Sequence, residues 1–386
     1  MRSHDLEAIL CKTREIAREV VASNAERADR AARWPTESIR AMQAAGIAGL
    51  VVPEAFGGLG QGLIALTQVC EILGQECAST AICFGMHCVG SAVISAHATP
   101  EQRDRYLAPI VDGCHITTLS LSEPGTGSHF YLPQSTLRAD NDGFLINGTK
   151  TFVTNGGFAD SYVVSTVGDG PRAPPSQFSC VIVPKEADGL EWGPPWAGLG
   201  LRGNSSRSLT LHQVHIPCEN LLGSEGEQMS YIFNVVCPYF LIAIAGTYLG
   251  VATAALAEAR RHLGDRHHSH SGLTLAQAPV LQSRLGTLWG DVERTRRLIY
   301  YAASCFDSGD PDALIALMAS KATVADCVVS VVNEVMTMVG GIGYRNDSKL
   351  HRMLRDARAV HLMSPTTDIL RIWIGRALLG LPLLSD

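Results

Sequence analysis

The chain has 386 residues, of which 46% are hydrophobic and 18% charged, as is typical of a folded protein with more than one core. The formal net charge of -6 argues against a mainly electrostatic DNA or RNA binder. Eleven cysteines without a CxxC pair are typical of reduced, buried thiols. Charged residues near the start interrupt any secretory apolar region, so we expect a cytoplasmic protein.

The first part of the chain is predicted to be all helical. Apolar residues recur at helical spacing from about residue 5 to 48 and again from 63 to 96. Thr99 is expected to cap a further helix that has Pro100 in its first turn. We therefore predict an N-terminal α-helical domain over residues 1–115.

The middle part is predicted to be β-structure. Residues 116–121 form an apolar strand pattern, and hairpin signals occur at 141–143 and at Asn147 and Gly148. Proline and glycine crowd the later connections, including residues 171–175. We predict an antiparallel barrel or sandwich over residues 116–225 and take the barrel as the working fold.

Helical patterns return from residue 226 to 386, with helices expected at 228–263, 276–307, 311–339 and 366–380. Residues 228–257 carry no charge, and Gly246 and Gly250 have the GxxxG spacing of some membrane helices. Polar residues such as Asn234 interrupt this segment and no basic cluster flanks it. We therefore predict a buried core helix in a four-helix bundle, without a membrane span. The whole chain is predicted to be an α+β multidomain protein.

Seven ordered motifs resemble those of the acyl-CoA dehydrogenase superfamily over essentially the whole chain. They lie at residues 52–60, 121–128, 148–156, 200–204, 217–223, 338–344 and 355–358. The resemblance implies an enzyme, a flavin-dependent oxidoreductase acting on CH–CH groups, with FAD as its cofactor.

The same resemblance implies which residues hold the flavin and the thioester. Backbone groups of Leu121 and Ser122, with the Ser122 hydroxyl, would meet the flavin's polar edge, and Thr154 would donate near N5. The remaining implied contacts of this region are Phe152 over a ring face, Gly127 at a close backbone approach, and Ser128 beside both the cofactor and the thioester arm.

A second implied set belongs to the far end of FAD. Arg266 would reach a neighbouring subunit's pyrophosphate, and Gly340 and Gly341 a neighbouring adenine, so a homodimer or homotetramer is expected. Thr366 and Asp368 would contact FAD from the C-terminal segment. The glycines are equally explained as a helix C-cap, and Asp368 as an acidic residue in a first helical turn.

One departure from the family pattern bears on the chemistry. The position of the family's catalytic Glu is occupied by Ser364, and the alternative position for the base by Phe240. Two interpretations of Ser364 remain open, a helix N-cap followed by Pro365, or a direct role in catalysis. The acyl pocket is expected to involve His87, Tyr239 and Phe240. For His87 the alternative is a structural role. His129 is either a titratable group near the flavin domain or a side chain at the sheet edge.

Two classes of function follow from the resemblance. The first is α,β-dehydrogenation of an acyl thioester, linked to CoA or to an acyl carrier protein, with an unusual or relocated base. The alternative is a flavin-dependent monooxygenase or oxidase, or another non-dehydrogenase flavoprotein. Expected electron acceptors are an electron-transfer flavoprotein or oxygen. We expect no nucleic-acid partner, because the net charge is negative. We also expect no metal, because the histidines of residues 267–270 lie in a polar loop without the spacing of metal ligands.

Overall fold

The computed structural model describes residues 5–169, 178–226 and 229–384. Two of the predictions fall on residues outside these ranges. They concern the proline-rich connection at residues 171–175 and Gln228, the first residue of the uncharged segment. The described chain consists of helices, then a sheet, then helices, in the predicted order.

From residue 5 onward, the first part contains seven α-helices, with wider π-type turns at Ala17–Val21 and Arg103–Leu107. They are α1 Leu6–Ile16, α2 Ala22–Arg30, α3 Thr36–Ala44, α4 Leu63–Glu76, α5 Ala78–Ala96, α6 Pro100–Gln102 and α7 Ala108–Val111. The predicted cap at Thr99 is confirmed. Its hydroxyl accepts from the Gln102 amide at 3.2 Å, and the Gln102 side chain accepts from the Thr99 amide at 3.1 Å.

In the middle part, the described residues form one sheet of eight strands. They are β1 Thr117–Ser120, β2 Thr136–Asp140, β3 Gly143–Val153, β4 Ser161–Gly168, β5 Phe178–Pro184, β6 Leu190–Trp192, β7 Arg207–Pro217 and β8 Leu221–Leu222. The order is β6-β7-β3-β2-β4-β5-β8, and β1 pairs with β4 beside this path. The turn predicted at residues 141–143 is confirmed, because β2 and β3 form an antiparallel hairpin around it.

Two details of the predicted sheet need correction. The described strands form an open sheet rather than a closed antiparallel barrel, and β4 pairs in parallel with both β1 and β2. The hairpin turn predicted at Asn147 and Gly148 is wrong, since both residues lie inside β3 at a register shift against β7. Glycine is required at 148 because a Cβ there would lie 2.2 Å from the Ser135 hydroxyl oxygen.

The last part contains α8 Met229–Tyr231, α9 Cys237–Asp265, α10 Pro279–Ser308, α11 Ala313–Val339, α12 Lys349–Arg358 and α13 Thr367–Leu378. Short connections reverse the chain between α9, α10 and α11, so the C-terminal ends of α9 and α11 lie at the same end of the bundle. Helix α13 packs on α11, and α4 from the first part packs along α9.

The glycines of α9 explain its close contact with α4. A Cβ at Gly250 would lie 2.3 Å from the Glu71 carbonyl oxygen, and one at Gly246 would lie 2.7 Å from the Thr67 carbonyl oxygen. Three helical stretches are long and apolar enough to span a bilayer on those criteria alone, Ala78–Ala96, Ile232–Asp265 and Ala313–Ile342. In the folded protein, most of the residues in the most apolar 18-residue stretch of each helix are buried, namely 94%, 78% and 67% in chain order.

Candidate active site

Residues 121–128 leave the end of β1 and are anchored by a buried ion pair. Lys150 of β3 is fully buried, and its Nζ lies 2.5 Å from a Glu123 carboxylate oxygen. The same carboxylate accepts from the Ser135 hydroxyl at 2.7 Å and from the Gln134 amide at 2.6 Å. Burial raises the pKa of Glu123, but Lys150 and these hydrogen bonds outweigh it, so the net pKa lies below the usual value. The start of the segment is therefore fixed to the sheet.

On both sides of this anchor, the chain carries side-chain hydroxyls that have no hydrogen-bond partner among the described residues. The hydroxyls of Ser122 and Ser128 are half-buried and make no hydrogen bond with the described residues. Gly127 has a φ of +52° and open space where a Cβ would stand. The Ser120 hydroxyl, which is 1% exposed, is also without a partner among the described residues. These groups are available to a ligand.

The end of β3 is shaped by a bulge. Lys150 pairs with Leu209 but Val153 pairs with Arg207, so one extra residue is inserted in β3. Phe152 lies in this bulge with a φ of +54°, and its ring is 65% exposed with only the Trp196 ring beside it, 6.2 Å away between centroids. The bulge thus turns an aromatic face away from the sheet. Thr154 is buried, and its hydroxyl lies 3.3 Å from that of Ser206.

The residue after Thr154 connects three parts of the chain. The Asn155 side-chain oxygen accepts from the Trp34 indole at 2.8 Å, and its amide nitrogen donates to the Cys83 carbonyl at 2.9 Å. The Trp34 ring in turn stacks on Phe158 with centroids 4.9 Å apart. The position of Thr154 therefore depends on the first helical part as well as on the sheet.

The third element of the site is the turn that precedes α13. We call residues 363–365, with Ser364 at their centre, the 363–365 turn. Lys321 of α11 is fully buried, and its Nζ donates to the Met363 carbonyl at 3.0 Å and to the Pro365 carbonyl at 2.9 Å. Burial lowers the pKa of Lys321 to about 7. The Ser364 side chain is half-buried and makes no hydrogen bond with the described residues.

The interpretation of Ser364 as the helix N-cap is wrong. Helix α13 begins at Thr367, and the cap is Thr366, whose hydroxyl accepts from the Ile369 amide at 3.5 Å. The Pro365 carbonyl is bound by Lys321, which holds this residue outside the helix. The Asp368 side chain is 91% exposed in the first turn of α13, where a carboxylate favours the helix N-terminus.

Side-chain and backbone contacts bring the C-terminal segment against the sheet. The Asp356 carboxylate of α12 accepts from the Leu201 amide at 2.6 Å. A Cβ at Gly200 would lie 2.3 Å from the Arg355 carbonyl oxygen, so glycine permits this approach. The Arg355 guanidinium pairs with the carboxylate of Asp29 in α2. Burial raises the pKa of Asp356 to about 6.

An aromatic cluster joins the segment after Ser128 to α13. The Tyr131 and Trp373 rings are 6.1 Å apart, and Phe233 lies 6.1 Å from Trp373. Tyr131 and Trp373 are buried, with exposures of 5% and 4%. This cluster packs Tyr131, three residues after Ser128, against the middle of α13.

The residues expected in the acyl pocket have different surroundings. Both ring nitrogens of His87 are used inside the protein, Nε2 at 2.9 Å from the Ala48 carbonyl and Nδ1 accepting from the Thr117 amide at 3.2 Å. Burial lowers the pKa of His87 to about 4, which supports the structural alternative. Tyr239 and Phe240 are half-buried near the start of α9, and Tyr239 packs on Phe306. His129 is exposed, with its ring 5.8 Å from Tyr131.

The residues expected to reach a neighbouring subunit lie on the surface. Arg266 follows α9 and is exposed, without an ion pair among the described residues. Gly340 and Gly341 follow α11, are exposed, and have open space at both Cβ positions. Gly340 has a φ of +72° and forms the C-cap of α11, as the helix-cap alternative predicts. The bundle topology places all three residues at the same end.

The donor set fits a flavin. The unused hydroxyls of Ser120, Ser122 and Ser128 supply donors, and the exposed Phe152 ring supplies a flat apolar face. In the described ranges, no group of three or more His, Cys, Asp or Glu side chains is placed to hold a metal ion.

Sequence reasoning missed Lys321 and the aromatic cluster. The signal for Lys321 was present, since it is the only charged residue between Ala313 and Ala325 in an otherwise apolar helical pattern. Nothing in the sequence indicated that its ammonium group would meet a turn more than 40 residues away.

Comparisons with known proteins assign the three parts of the chain to one family. Residues 3–114 match "Acyl-CoA dehydrogenase, N-terminal domain", residues 118–214 match "Acyl-CoA dehydrogenase, middle domain", and residues 241–379 match "Acyl-CoA dehydrogenase, C-terminal domain".

Whole-chain relatives agree with this assignment. An acyl-CoA dehydrogenase of Bacillus subtilis is 30% identical over 368 residues, which cover 95% of this chain and 96% of the relative. The cyclohex-1-ene-1-carbonyl-CoA dehydrogenase of Geobacter metallireducens is 29% identical over 367 residues, or 95% and 96% of the two chains. The structure of butyryl-CoA dehydrogenase from Megasphaera elsdenii superimposes with a TM-score of 0.91 at 26% identity, covering 97% of this chain and 98% of that one. The chain therefore belongs to the acyl-CoA dehydrogenase family, whose members are flavin-dependent oxidoreductases acting on CH–CH bonds.

Proposed function

We propose that this protein carries out FAD-dependent α,β-dehydrogenation of an acyl thioester, linked to CoA or to a carrier protein, with a base other than a carboxylate at position 364. One observation carries the proposal. Tyr131, three residues after Ser128, packs on Trp373 of α13, and the half-buried Ser364 lies between two carbonyls held by Lys321 in the turn before that helix. These contacts support a family-type binding site in which position 364 carries a hydroxyl instead of a carboxylate.

The chemistry has two parts, removal of an α-proton and transfer of a hydride from the β-carbon. FAD, when bound, supplies the hydride acceptor. The chain's own residues would hold the flavin edge through Ser122 and Thr154 and orient the thioester through Ser128. The aromatic cluster and the apolar side chain of Phe240 would exclude water from the acyl group.

Neither position for the base offers a group that ionises near neutral pH. Ser364 carries a hydroxyl and Phe240 a hydrocarbon ring. A positioned general base contributes roughly a hundred- to ten-thousand-fold to the rate of a proton transfer. We therefore expect ordinary saturated acyl-CoA substrates to reduce the bound flavin slowly in the native protein.

The test restores a carboxylate at the centre of the 363–365 turn. FAD-loaded native protein, Ser364→Glu and the matched control Ser364→Gln are mixed anaerobically with saturated acyl-CoAs of several lengths, and bleaching of the flavin absorbance is followed. We expect the Glu variant to bleach at least tenfold faster than both others. Equal rates for Glu and Gln, with FAD fully bound, would show that the site does not align a thioester for proton removal.

A second candidate function is oxygen-dependent chemistry, as a flavin monooxygenase or oxidase. The observation that favours it is the absence of a carboxylate from both positions, since an enzyme that takes no α-proton needs none. Reduction of the FAD-loaded protein with dithionite, followed by exposure to oxygen, distinguishes the two. Reoxidation within a second, with or without hydrogen peroxide release, supports oxygen chemistry, and reoxidation over minutes supports an electron-transfer flavoprotein as the acceptor.

A homo-oligomer is part of the proposal. Exposed Arg266, Gly340 and Gly341 at one end of the bundle are suited to contact a cofactor bound mainly by a second copy. Light scattering of the FAD-loaded protein tests this directly. A dimer or tetramer that loses FAD affinity in Arg266→Ala supports a shared site, whereas a monomer with tightly bound FAD contradicts it.

A further inference from the structure

Lys321 differs from the buried Lys150, which pairs with a carboxylate, because both of its hydrogen-bond partners are backbone carbonyls. Its side chain is fully buried in α11, and its two hydrogen-bond partners are the carbonyl oxygens of Met363 and Pro365. No carboxylate in the described ranges lies within ion-pair distance of it. A buried amine held in this way does not serve as half of a salt bridge.

The two carbonyls lie on either side of the peptide bond between Ser364 and Pro365. The Met363 carbonyl belongs to the peptide group before Ser364, and the Pro365 carbonyl to the group after Pro365. In the described ranges, neither carbonyl accepts another hydrogen bond, because the turn lies between the helical turn Ala359–His361 and the N-cap of α13. Fixing both oxygens at 3.0 Å and 2.9 Å from one nitrogen fixes the backbone of residue 364 and therefore the direction of its side chain.

The hydrogen bonds are compatible with either protonation state of the amine. Burial lowers the pKa of Lys321 to about 7, so both forms are present near neutral pH. A neutral amine has two N–H groups, one for each carbonyl, and an ammonium has three. The contact with the turn therefore persists on both sides of neutrality.

A second contact steadies the same turn from another helix. The Tyr248 hydroxyl of α9 donates to the Asp356 carbonyl at 3.2 Å and lies 3.8 Å from the Met363 sulfur. This contact reaches the Met363 side chain but neither of the carbonyls around Ser364. Removing the Tyr248 hydroxyl should therefore loosen the packing around Met363 without releasing the two carbonyls, which makes Tyr248→Phe a matched control.

We propose that Lys321 is a positioning residue that holds the side chain at position 364 in a fixed direction toward the reacting atoms. The proposal deepens the proposed function and rests on it, since position 364 is where a base would act. Lys321 itself touches neither substrate nor cofactor in this proposal. Its effect passes through the Met363 and Pro365 carbonyls.

The first experiment is independent of catalysis. Amide hydrogen exchange is measured by mass spectrometry on the full-length apo-protein for the native chain, Lys321→Met, Lys321→Arg and the control Tyr248→Phe. We expect Lys321→Met to speed exchange at least tenfold in peptides covering residues 362–367 and to leave peptides of α4 and α9 unchanged. The Arg variant retains two donors and should stay close to native. Unchanged exchange in 362–367, or faster exchange throughout the protein, would overturn the proposal.

The second experiment uses the restored carboxylate. Lys321→Met is combined with Ser364→Glu, and anaerobic flavin reduction is compared with that of Ser364→Glu alone at matched FAD content. We expect the limiting rate of flavin reduction to fall at least tenfold, with little change in the substrate concentration that gives half of that rate, and Lys321→Arg to recover part of the loss. An equal fall in the Tyr248→Phe combination, or none with Lys321→Met, would refute a positioning role. If Ser364→Glu gains no activity, the proposed function fails while the exchange experiment still decides the role of Lys321.

Discussion

Lys150 and Lys321 are both fully buried, yet they are satisfied in opposite ways. Lys150 in the sheet lies 2.5 Å from the Glu123 carboxylate, whereas Lys321 in the bundle binds two backbone carbonyls. A full opposite charge compensates the first amine for lost water, but only dipoles compensate the second. Lys150 therefore forms a permanent ion pair that holds residues 121–128 to the sheet, whereas the Lys321 amine beside the 363–365 turn loses its proton more easily. His87 resembles Lys321, since both its nitrogens also bind backbone.

The largest effect is expected from breaking the ion pair. Lys150→Met leaves the buried Glu123 carboxylate without its cation, and a broken buried pair costs about 3–5 kcal/mol of stability. Urea denaturation of the apo-protein, followed by tryptophan fluorescence, measures this loss. The double variant Glu123→Gln with Lys150→Met removes both charges and should recover part of it. If the free energy of unfolding falls by less than about 1 kcal/mol in the single variant, the ion pair does not hold residues 121–128 to the sheet.

A smaller effect, dependent on pH, is expected from His87. Its pKa is about 4 in the folded protein and 6.5 ordinarily, so the unfolded chain binds a proton that the folded chain does not between these values. His87 therefore contributes stability that is present above pH 6.5 and is lost as the pH falls toward 4. The native protein should lose about 3 kcal/mol more than His87→Gln over this window. Parallel urea curves at several pH values test it, and equal slopes for the two proteins would contradict it.

The smallest measured change is expected for Lys321, because only the part of its titration between pH 7.5 and 8.5 is followed. Its pKa is about 7 when folded and 10.5 ordinarily, so the unfolded chain keeps a proton that the folded chain releases between these values. The stability that depends on this lysine is therefore present above pH 10.5 and is lost as the pH falls to about 7. Between pH 7.5 and 8.5, native stability should rise relative to Lys321→Met by about 1 kcal/mol. If the difference in stability between the two proteins does not change with pH, Lys321 is permanently charged, like Lys150.

Local patterns predicted the fold well where a few adjacent residues decide it. The cap at Thr99 and the turn at residues 141–143 are examples, because each depends on hydrogen bonds between near neighbours. The parallel pairing of β1 with β4 joins residues 44 positions apart, such as Thr117 and Ser161, and no hairpin signal reports it. The open sheet followed from pairings of this long-range kind.

The candidate site shows the same limit. The family motifs predicted a polar segment at residues 121–128, and the free hydroxyls of Ser122 and Ser128 agree with that character. The interpretation of Ser364 as the N-cap was wrong, although Ser364 and Pro365 have the local chemistry of a helix start. The competing interaction comes from Lys321, on another helix, which binds the Pro365 carbonyl and leaves Thr366 as the cap. Such a contact is set by packing and cannot be seen in the residues of the turn.

The hydrogen bonds of Asn155 affect the stage of folding at which the protein becomes able to bind a flavin. Its side chain joins Trp34, 121 residues earlier, to Cys83, 72 residues earlier, at the residue directly after Thr154. Contacts of such sequence separation form late, because the intervening loops must close first. Thr154 therefore reaches its final place only when the first helices, α5 and the sheet have assembled. Flavin uptake should consequently mark the end of folding in this chain, and partly folded molecules should remain colourless.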